Sequence, residues 1–456
     1  MQDSRAVKDL LEETSGSVQD LYRKSIDPLA KKFAFEKRPV DGEISGGPLV
    51  LFVGNHSSGK STFINHLLGE SVQRTGMAPT DDCFTLLRYG KHREERDGRA
   101  IVSNPDLPFA GAAHIGPEFL SHFRMRLLPN EFLRDITLVD TPGMIDAAGP
   151  DTTRGYNFSA GVRWFAERAD LVLVFFDPDR PGTTAETMTE LTQSLGRIDH
   201  KLLVVMNKMD QFRSLRDFAR CYGTLCWNLG KVIAKKDIPQ IFTTFVPVKG
   251  AAESALSLTD FAHAREELVQ EIKRAPVRRL DNILTQASIY GRRLKMYVRI
   301  IHETRRNLTR FRCRLHSLLV LILVGGLGAG GYLGMEEQWV PATVAALAGI
   351  GLAVGGYFGF RELIRRREEK LLDDLDGIFE RVYKRDLVVG HREEDLLLLW
   401  KDVKRSIIWT VKNLGLLSLP RLKRSELNRI DDCLEKQIPE LRATLHRKME
   451  SKPSGF

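Results

Sequence analysis

The apolar residues of this chain repeat differently in different stretches. From 48 to 250, short unbroken apolar runs alternate with stretches in which apolar residues recur at helical spacing. The runs at 49–53, 84–88, 136–140, 171–176, 201–206 and 241–246 predict strands. Apolar runs separated by helices predict a mainly parallel sheet covered on both faces, the α/β class. Ahead of the sheet, Val7, Leu10, Leu11, Val18, Leu21, Tyr22, Ile26, Leu29 and Phe33 predict one or two amphipathic helices, broken near Asp27-Pro28. The glycine-rich stretch 39–48 reads as a linker. Residues 251–316 and 361–450 are charged and helical in period. Leu268, Ile272, Leu280 and Ile283 mark one arm; Leu371, Leu375, Ile378, Val403 and Ile407 mark the other.

Between the arms the pattern changes abruptly. Residues 317–360 hold no Lys or Arg, and two halves apolar all round, 318–334 and 340–360, flank Met335-Glu336-Glu337-Gln338-Trp339. A bilayer core needs about 20 apolar helical residues, with ~17 tolerated. The stretch therefore predicts a two-helix transmembrane hairpin on an α-helical stalk, with a re-entrant insertion as the alternative. Arg305, Arg306, Arg310, Arg312 and Arg314 precede it, Arg361, Arg365, Arg366 and Arg367 follow it, and the loop between carries only Glu336 and Glu337. Positive flanks predict an integral membrane protein with both arms, and the domain before them, on the cytoplasmic side. They also suit acidic lipid headgroups. Gly330/Gly334, Gly351/Gly355 and Gly355/Gly359 form G-x-x-x-G pairs that would let helices approach closely.

Composition adds bounds. A chain of 456 residues allows two or three domains. Six stretches are expected: 1–45, helices packing on the stalk; 46–250, the α/β domain; 251–316, the first arm; 317–360, the hairpin; 361–450, the second arm; and 451–456, a disordered tail. The net charge of +9 calls for an anionic partner. Its basic excess lies beside the hairpin, so a lipid bilayer is expected and nucleic acid is not. Five scattered cysteines without metal-ligand spacing point to a reducing compartment. Met1-Gln2-Asp3-Ser4-Arg5 lacks an apolar core, so no secretory signal is expected.

The candidate chemistry sits at strand ends. Gly54-Asn55-His56-Ser57-Ser58-Gly59-Lys60-Ser61 follows one predicted strand and opens a helix at Thr62, the context of a phosphate-binding loop. Its amides, continuing through Thr62, point at a polyphosphate; Lys60 neutralises the outer phosphates and Ser61 binds Mg²⁺. Asp140-Thr141-Pro142-Gly143 ends another strand. Asp140 there holds Mg²⁺, usually through water, and the Gly143 amide meets a γ-phosphate. Asn207-Lys208-Met209-Asp210 ends a third. The Asp210 carboxylate accepts two N–H groups of guanine, and the Lys208 stem lies over the ring. Thr80 is the candidate to close over the nucleotide and bind Mg²⁺, because it precedes a strand, with Thr75 and Thr85 as rivals. The residue after Gly143 is Met144, so water must be oriented from elsewhere. His56 and Ser57 are candidates, though His56 reads equally as a spacer.

This order of loops defines a GTPase-type domain. It resembles the dynamin superfamily, and within it the Eps15-homology-domain-containing (EHD) branch and its relative sarcalumenin. The resemblance extends through Leu21-Tyr22-Arg23, Val139-Asp140-Thr141-Pro142-Gly143, Arg154-Gly155-Tyr156-Asn157-Phe158, Trp164-Phe165-Ala166-Glu167-Arg168-Ala169-Asp170 and Tyr222-Gly223-Thr224-Leu225-Cys226-Trp227-Asn228-Leu229-Gly230-Lys231. It returns at Leu280-Asp281-Asn282-Ile283-Leu284 and, weakly, over 414–445. It implies a dynamin-type P-loop G domain, with Trp227 in a dimer interface and a helical domain whose tip touches membrane. No C-terminal Eps15-homology module is expected. The implied activity is Mg²⁺-dependent nucleotide hydrolysis with slow intrinsic turnover, coupled to self-association through the Trp227 region and the stalk and to membrane remodelling. The alternative is a switch or structural membrane protein that turns over little. The Asn207–Asp210 loop argues for GTP, and the EHD branch's use of adenine nucleotides keeps ATP as the alternative.

Overall fold

The computed structural model describes residues 2–36, 38, 41–73, 82–144, 155–179, 199–232, 240–247, 257–335, 339–388 and 393–450. Thr75 and Thr80, Arg154, Glu336 to Gln338 and residues 451–456 lie outside them. The chain forms two compact units. One comprises Met1–Gln19, Pro39–Leu284 and Arg442–Phe456; the other comprises Asp20–Arg38 and Thr285–Leu441.

In the first unit, β1 (Leu49–Gly54), β2 (Phe84–Tyr89), β3 (Glu94–Asp97), β4 (Phe123–Leu128), β5 (Thr137–Asp140), β6 (Leu171–Phe176), β7 (Leu202–Met206) and β8 (Ile241–Thr243) form one sheet. Its order is β3-β4-β2-β5-β1-β6-β7-β8. Pairing is parallel except between β2 and β5 and between β3 and β4. Every residue of β1 and β6 is buried. Leu49, Leu51 and Val53 face one side, with Phe158, Val162, Phe165, Leu225 and Leu229 of the helices Phe158–Arg168 and Leu215–Val232. Val50 and Phe52 face the other, with Phe63, Ile64, Leu268 and Ile272 of Lys60–Leu68 and Thr259–Lys273. Each such side chain contributes about 1.5–3 kcal/mol on burial.

Apolar runs do not reveal β3 and β4. Glu94-Glu95-Arg96-Asp97 is a charged edge strand, as unpaired edges often are. In Phe123-Arg124-Met125-Arg126, buried and half-buried residues alternate, so no continuous run exists. Thr85 lies within β2, buried and in register with Asp140. A residue fixed in a central ladder cannot close over a ligand, which removes it as a rival to Thr80.

The end of the sheet where β1 and β6 begin is held by a buried polar cluster. The Asp170 carboxylate accepts from the Leu49 amide at 3.0 Å, Asn282 Nδ2 at 3.1 Å and Arg279 Nη1 at 3.4 Å. Arg279 also donates to the carbonyls of Glu43 and Ile44. Arg279 and Asn282 belong to the helix Ala275–Met335, whose residues up to Leu284 are part of this unit.

The second unit is helical. Tyr297 donates to the Phe33 carbonyl at 3.1 Å and to Thr410 Oγ1 at 2.9 Å. Trp400 stacks on Phe379 with ring centroids 4.7 Å apart and donates to Asp376 at 2.8 Å. Lys32 pairs with Glu426 at 2.7 Å. The expected break near Asp27-Pro28 takes the form of a π-helical turn, Tyr22–Ile26, between Gln2–Leu21 and Asp27–Lys32. Such a turn shifts the backbone pattern by one residue and absorbs a local irregularity without ending the helix.

Each apolar half of 317–360 is continuous with an arm, one within Ala275–Met335 and the other within Trp339–Asp373. Both helices are long and apolar enough to cross a membrane. Their apolar side chains point outward: Leu321 is 70%, Val340 76% and Phe358 69% exposed. The two helices touch along glycines. A Cβ at Gly349 would lie 2.8 Å from Gly326 Cα, and one at Gly356 would lie 2.7 Å from Leu319 Cδ2. Further along, the Arg367 guanidinium lies 5.8 Å from the Phe311 ring centroid. Two of the three expected G-x-x-x-G contacts, Gly351/Gly355 and Gly355/Gly359, are corrected here, while the surroundings of Gly330 and Gly334 lie outside the described residues. A Cβ at Gly351, Gly355 or Gly359 would meet nothing within 4 Å. Gly349 and Gly356 are seven residues apart, a spacing that stays on one seam of a wound helix pair.

Candidate functional site

The three predicted strand-end loops converge at the carboxyl ends of β1, β5 and β7, where open α/β sheets bind ligands. β1 ends in Gly54, and the loop turns through Ser57 at φ +62° and Gly59 at φ +89° into the helix Lys60–Leu68. A Cβ at Gly59 would lie 2.2 Å from Asn207 Nδ2, so this position needs both the left-handed backbone and the missing side chain. Asn207 Nδ2 donates to the Ser58 carbonyl at 3.1 Å, and Thr244 Oγ1 donates to Asn207 Oδ1 at 3.4 Å. The side chain of Asn207 thus braces the phosphate-loop backbone.

The Asp140 loop is stitched to the same backbone. Met144 N donates to Gly54 O at 3.1 Å and His56 N donates to Met144 O at 2.8 Å. A Cβ at Gly143 would lie 2.6 Å from His56 Cα. The backbone of His56 therefore serves as the seat for Gly143. Ser61 Oγ donates to Asp140 Oδ2 at 2.9 Å. Lys60, 5% exposed, donates to the carbonyls of Gly54 at 2.8 Å and Asn55 at 3.1 Å. Lys208 adopts φ +63° and its ammonium meets Asp177 at 2.7 Å; Asp210 follows in the short turn Met209–Gln211. Thr62 stands in the first turn of the helix Lys60–Leu68.

These residues fit a nucleoside polyphosphate with Mg²⁺. Ser58 Oγ is fully buried and has no hydrogen-bond partner among the described residues. The loop backbone and the helix start present amides, and Lys60 supplies the cation. Ser61 and Asp140 provide adjacent hard oxygens of the kind Mg²⁺ prefers.

Sequence reasoning missed three contributors. Asp177 follows β6 directly, so its strand-end position was a readable signal. Thr244 leaves no pattern of its own. Neither does Gln73, which is buried and donates to Asp140 Oδ2 at 2.8 Å. Trp227 lies on the outside of Leu215–Val232, 70% exposed, with the Lys231 ammonium 5.1 Å from its ring centroid.

Residues 50–209 match the model of the Dynamin family. The rat EH domain-containing protein 2 is 35% identical over 237 residues, which are 50% of this chain and 43% of that protein. The Arabidopsis thaliana EH domain-containing protein 1 is 29% identical over 297 residues, covering 63% of this chain and 54% of that one. The matches thus span about half the length of these curated relatives. The solved structure of an oligomerised bacterial dynamin pair, described as sensing and tethering membranes, aligns over 90% of this chain and 82% of its own. Its identity is 14% and its TM-score 0.36, too loose a likeness to carry an argument.

Proposed function

With residues 50–209 forming a dynamin-type G domain related to those of EH domain-containing proteins, we propose that the chain is a membrane-anchored nucleoside triphosphatase that binds GTP with Mg²⁺. The observation that carries the reading is the convergence of three loops on one cradle, with Ser61 against Asp140 and Asn207 against Ser58. Lys60 and the loop amides hold the phosphates. Ser61 and Asp140 hold the cation, which withdraws charge from the transferred phosphoryl group when bound. Thr80 closes from its segment, and the Gly143 amide meets the γ-phosphate. With Met144 after Gly143, Ser57 and His56 are the residues to orient water, and turnover is slow. Nucleotide-dependent association through the exposed Trp227 face and the stalk drives membrane remodelling. The hairpin anchors the chain in the bilayer, with acidic headgroups at its Arg flanks and both arms on the cytoplasmic side.

Titration of the purified chain with labelled GTP and ATP, with and without Mg²⁺, tests this. Tighter binding of GTP is expected. Asp210→Asn, which replaces an acceptor of two guanine N–H groups by an amide, should weaken GTP by about 10- to 100-fold and leave ATP unchanged. Tighter binding of ATP, unaffected by this change, would reassign the base. A second reading, a switch that turns over little, is favoured by Met144. Single-turnover rates no faster than those of Lys60→Ala would establish it.

A further inference from the structure

Gln73 lies outside every motif described above and just ahead of the segment that carries Thr80. Its side chain is 4% exposed. Nε2 donates to Asp140 Oδ2 at 2.8 Å, the same oxygen that accepts from Ser61 at 2.9 Å. Oε1 accepts from Arg126 Nη1 at 2.7 Å. This orientation of the amide sets its oxygen against the guanidinium and its NH2 against the carboxylate; the flipped amide would oppose donor to donor and acceptor to acceptor.

The backbone of Gln73 is held as firmly as its side chain. Asn65, on the helix that follows the phosphate loop, accepts from the amides of Val72 at 2.9 Å and Gln73 at 2.8 Å. Its own amide donates to the Gln73 carbonyl at 2.8 Å. Arg126 also donates to the Val72 carbonyl at 3.1 Å and to Glu95 of the edge strand β3 at 3.1 Å. A four-residue network therefore runs from Glu95 through Arg126 and Gln73 to Asp140. Groups that hydrogen-bond a metal-holding carboxylate fix its orientation, and their loss commonly costs metal affinity.

We propose that Gln73 is a positioning residue for Mg²⁺: it locks the Asp140 carboxylate in the orientation that serves the cation, and Asn65 and Arg126 lock Gln73. This rests on the reading of Ser61 and Asp140 as the Mg²⁺ site. The test uses the full chain and a fluorescent guanine nucleotide, following its dissociation as free Mg²⁺ is varied. For Gln73→Met, similar in size but without the amide, the Mg²⁺ concentration that half-slows dissociation should rise about 10- to 100-fold. Affinity for the nucleotide in excess chelator should stay as in wild type. Arg126→Met should shift the midpoint in the same direction. An unchanged midpoint in Gln73→Met would overturn the proposal. So would an equal loss of nucleotide affinity with and without Mg²⁺, since that marks a general packing role. If wild type itself binds nucleotide without regard to Mg²⁺, the Mg²⁺ site fails first and the positioning role falls with it.

Discussion

Lys201, immediately ahead of β7, donates to the Ala169 carbonyl at 2.8 Å in a buried setting. Burial pushes its ammonium from 10.5 down to about 8, against an upward pull from Asp170. A cation whose folded pKa is depressed is disfavoured by folding below that pKa, and the cost is relieved as pH rises. Between pH 8 and 10.5 the unfolded chain binds the proton and the folded chain releases it, so stability rises with pH in that window. The stability of wild type relative to Lys201→Met should therefore increase as denaturation is followed through that window in detergent. A flat difference would contradict the shift. At this scale the sequence was partly legible. Lys60, Ser61, Asp140 and Asn207 were readable because each follows a glycine turn or ends a buried strand. Gln73 and Lys201 were not, because an isolated polar residue carries no mark of the neighbours that will bury it.

The hairpin shows what an element adds to its residues. Its place was legible from the abrupt loss of charge at 317–360. Its seam was not, because glycine spacing fixes which residues share a face but not which face turns inward. Contacts such as Phe311 with Arg367 belong to the packing of the flanking arms. Gly349→Leu inserts a side chain where Gly326 Cα lies within 2.8 Å of the Cβ position, and should separate the helices at a cost of about 1–3 kcal/mol. Gly351→Leu projects into open space and should be tolerated. Cross-linking between Leu319→Cys and Gly356→Cys in membranes reads the difference. It should form in wild type and with Gly351→Leu, and be lost with Gly349→Leu. Equal cross-linking in all three would contradict the seam.

For the whole molecule, the proposed membrane anchoring assigns each part to one side of a bilayer. Cys313 is exposed and precedes the hairpin, and Met335 stands at the end of its first helix. In sealed vesicles, an impermeant maleimide should reach Cys313 and Met335→Cys from opposite faces. Labelling of both from one face would favour the re-entrant form. The two-part layout was legible in the change from strand-like runs to long helical periods. The extent of the first unit to Leu284 was not, since no break in the pattern marks it. Asp170 explains that extent. Its buried carboxylate relies on Arg279 and Asn282, more than a hundred residues downstream. A chain cut at 250 would lose both, and stranding such a buried charge costs about 3–5 kcal/mol. The first unit is thus not interchangeable at its apparent end. Whether by recombination or by design, a transplant between relatives must carry the opening turns of the long helix with it, or bring a replacement for them.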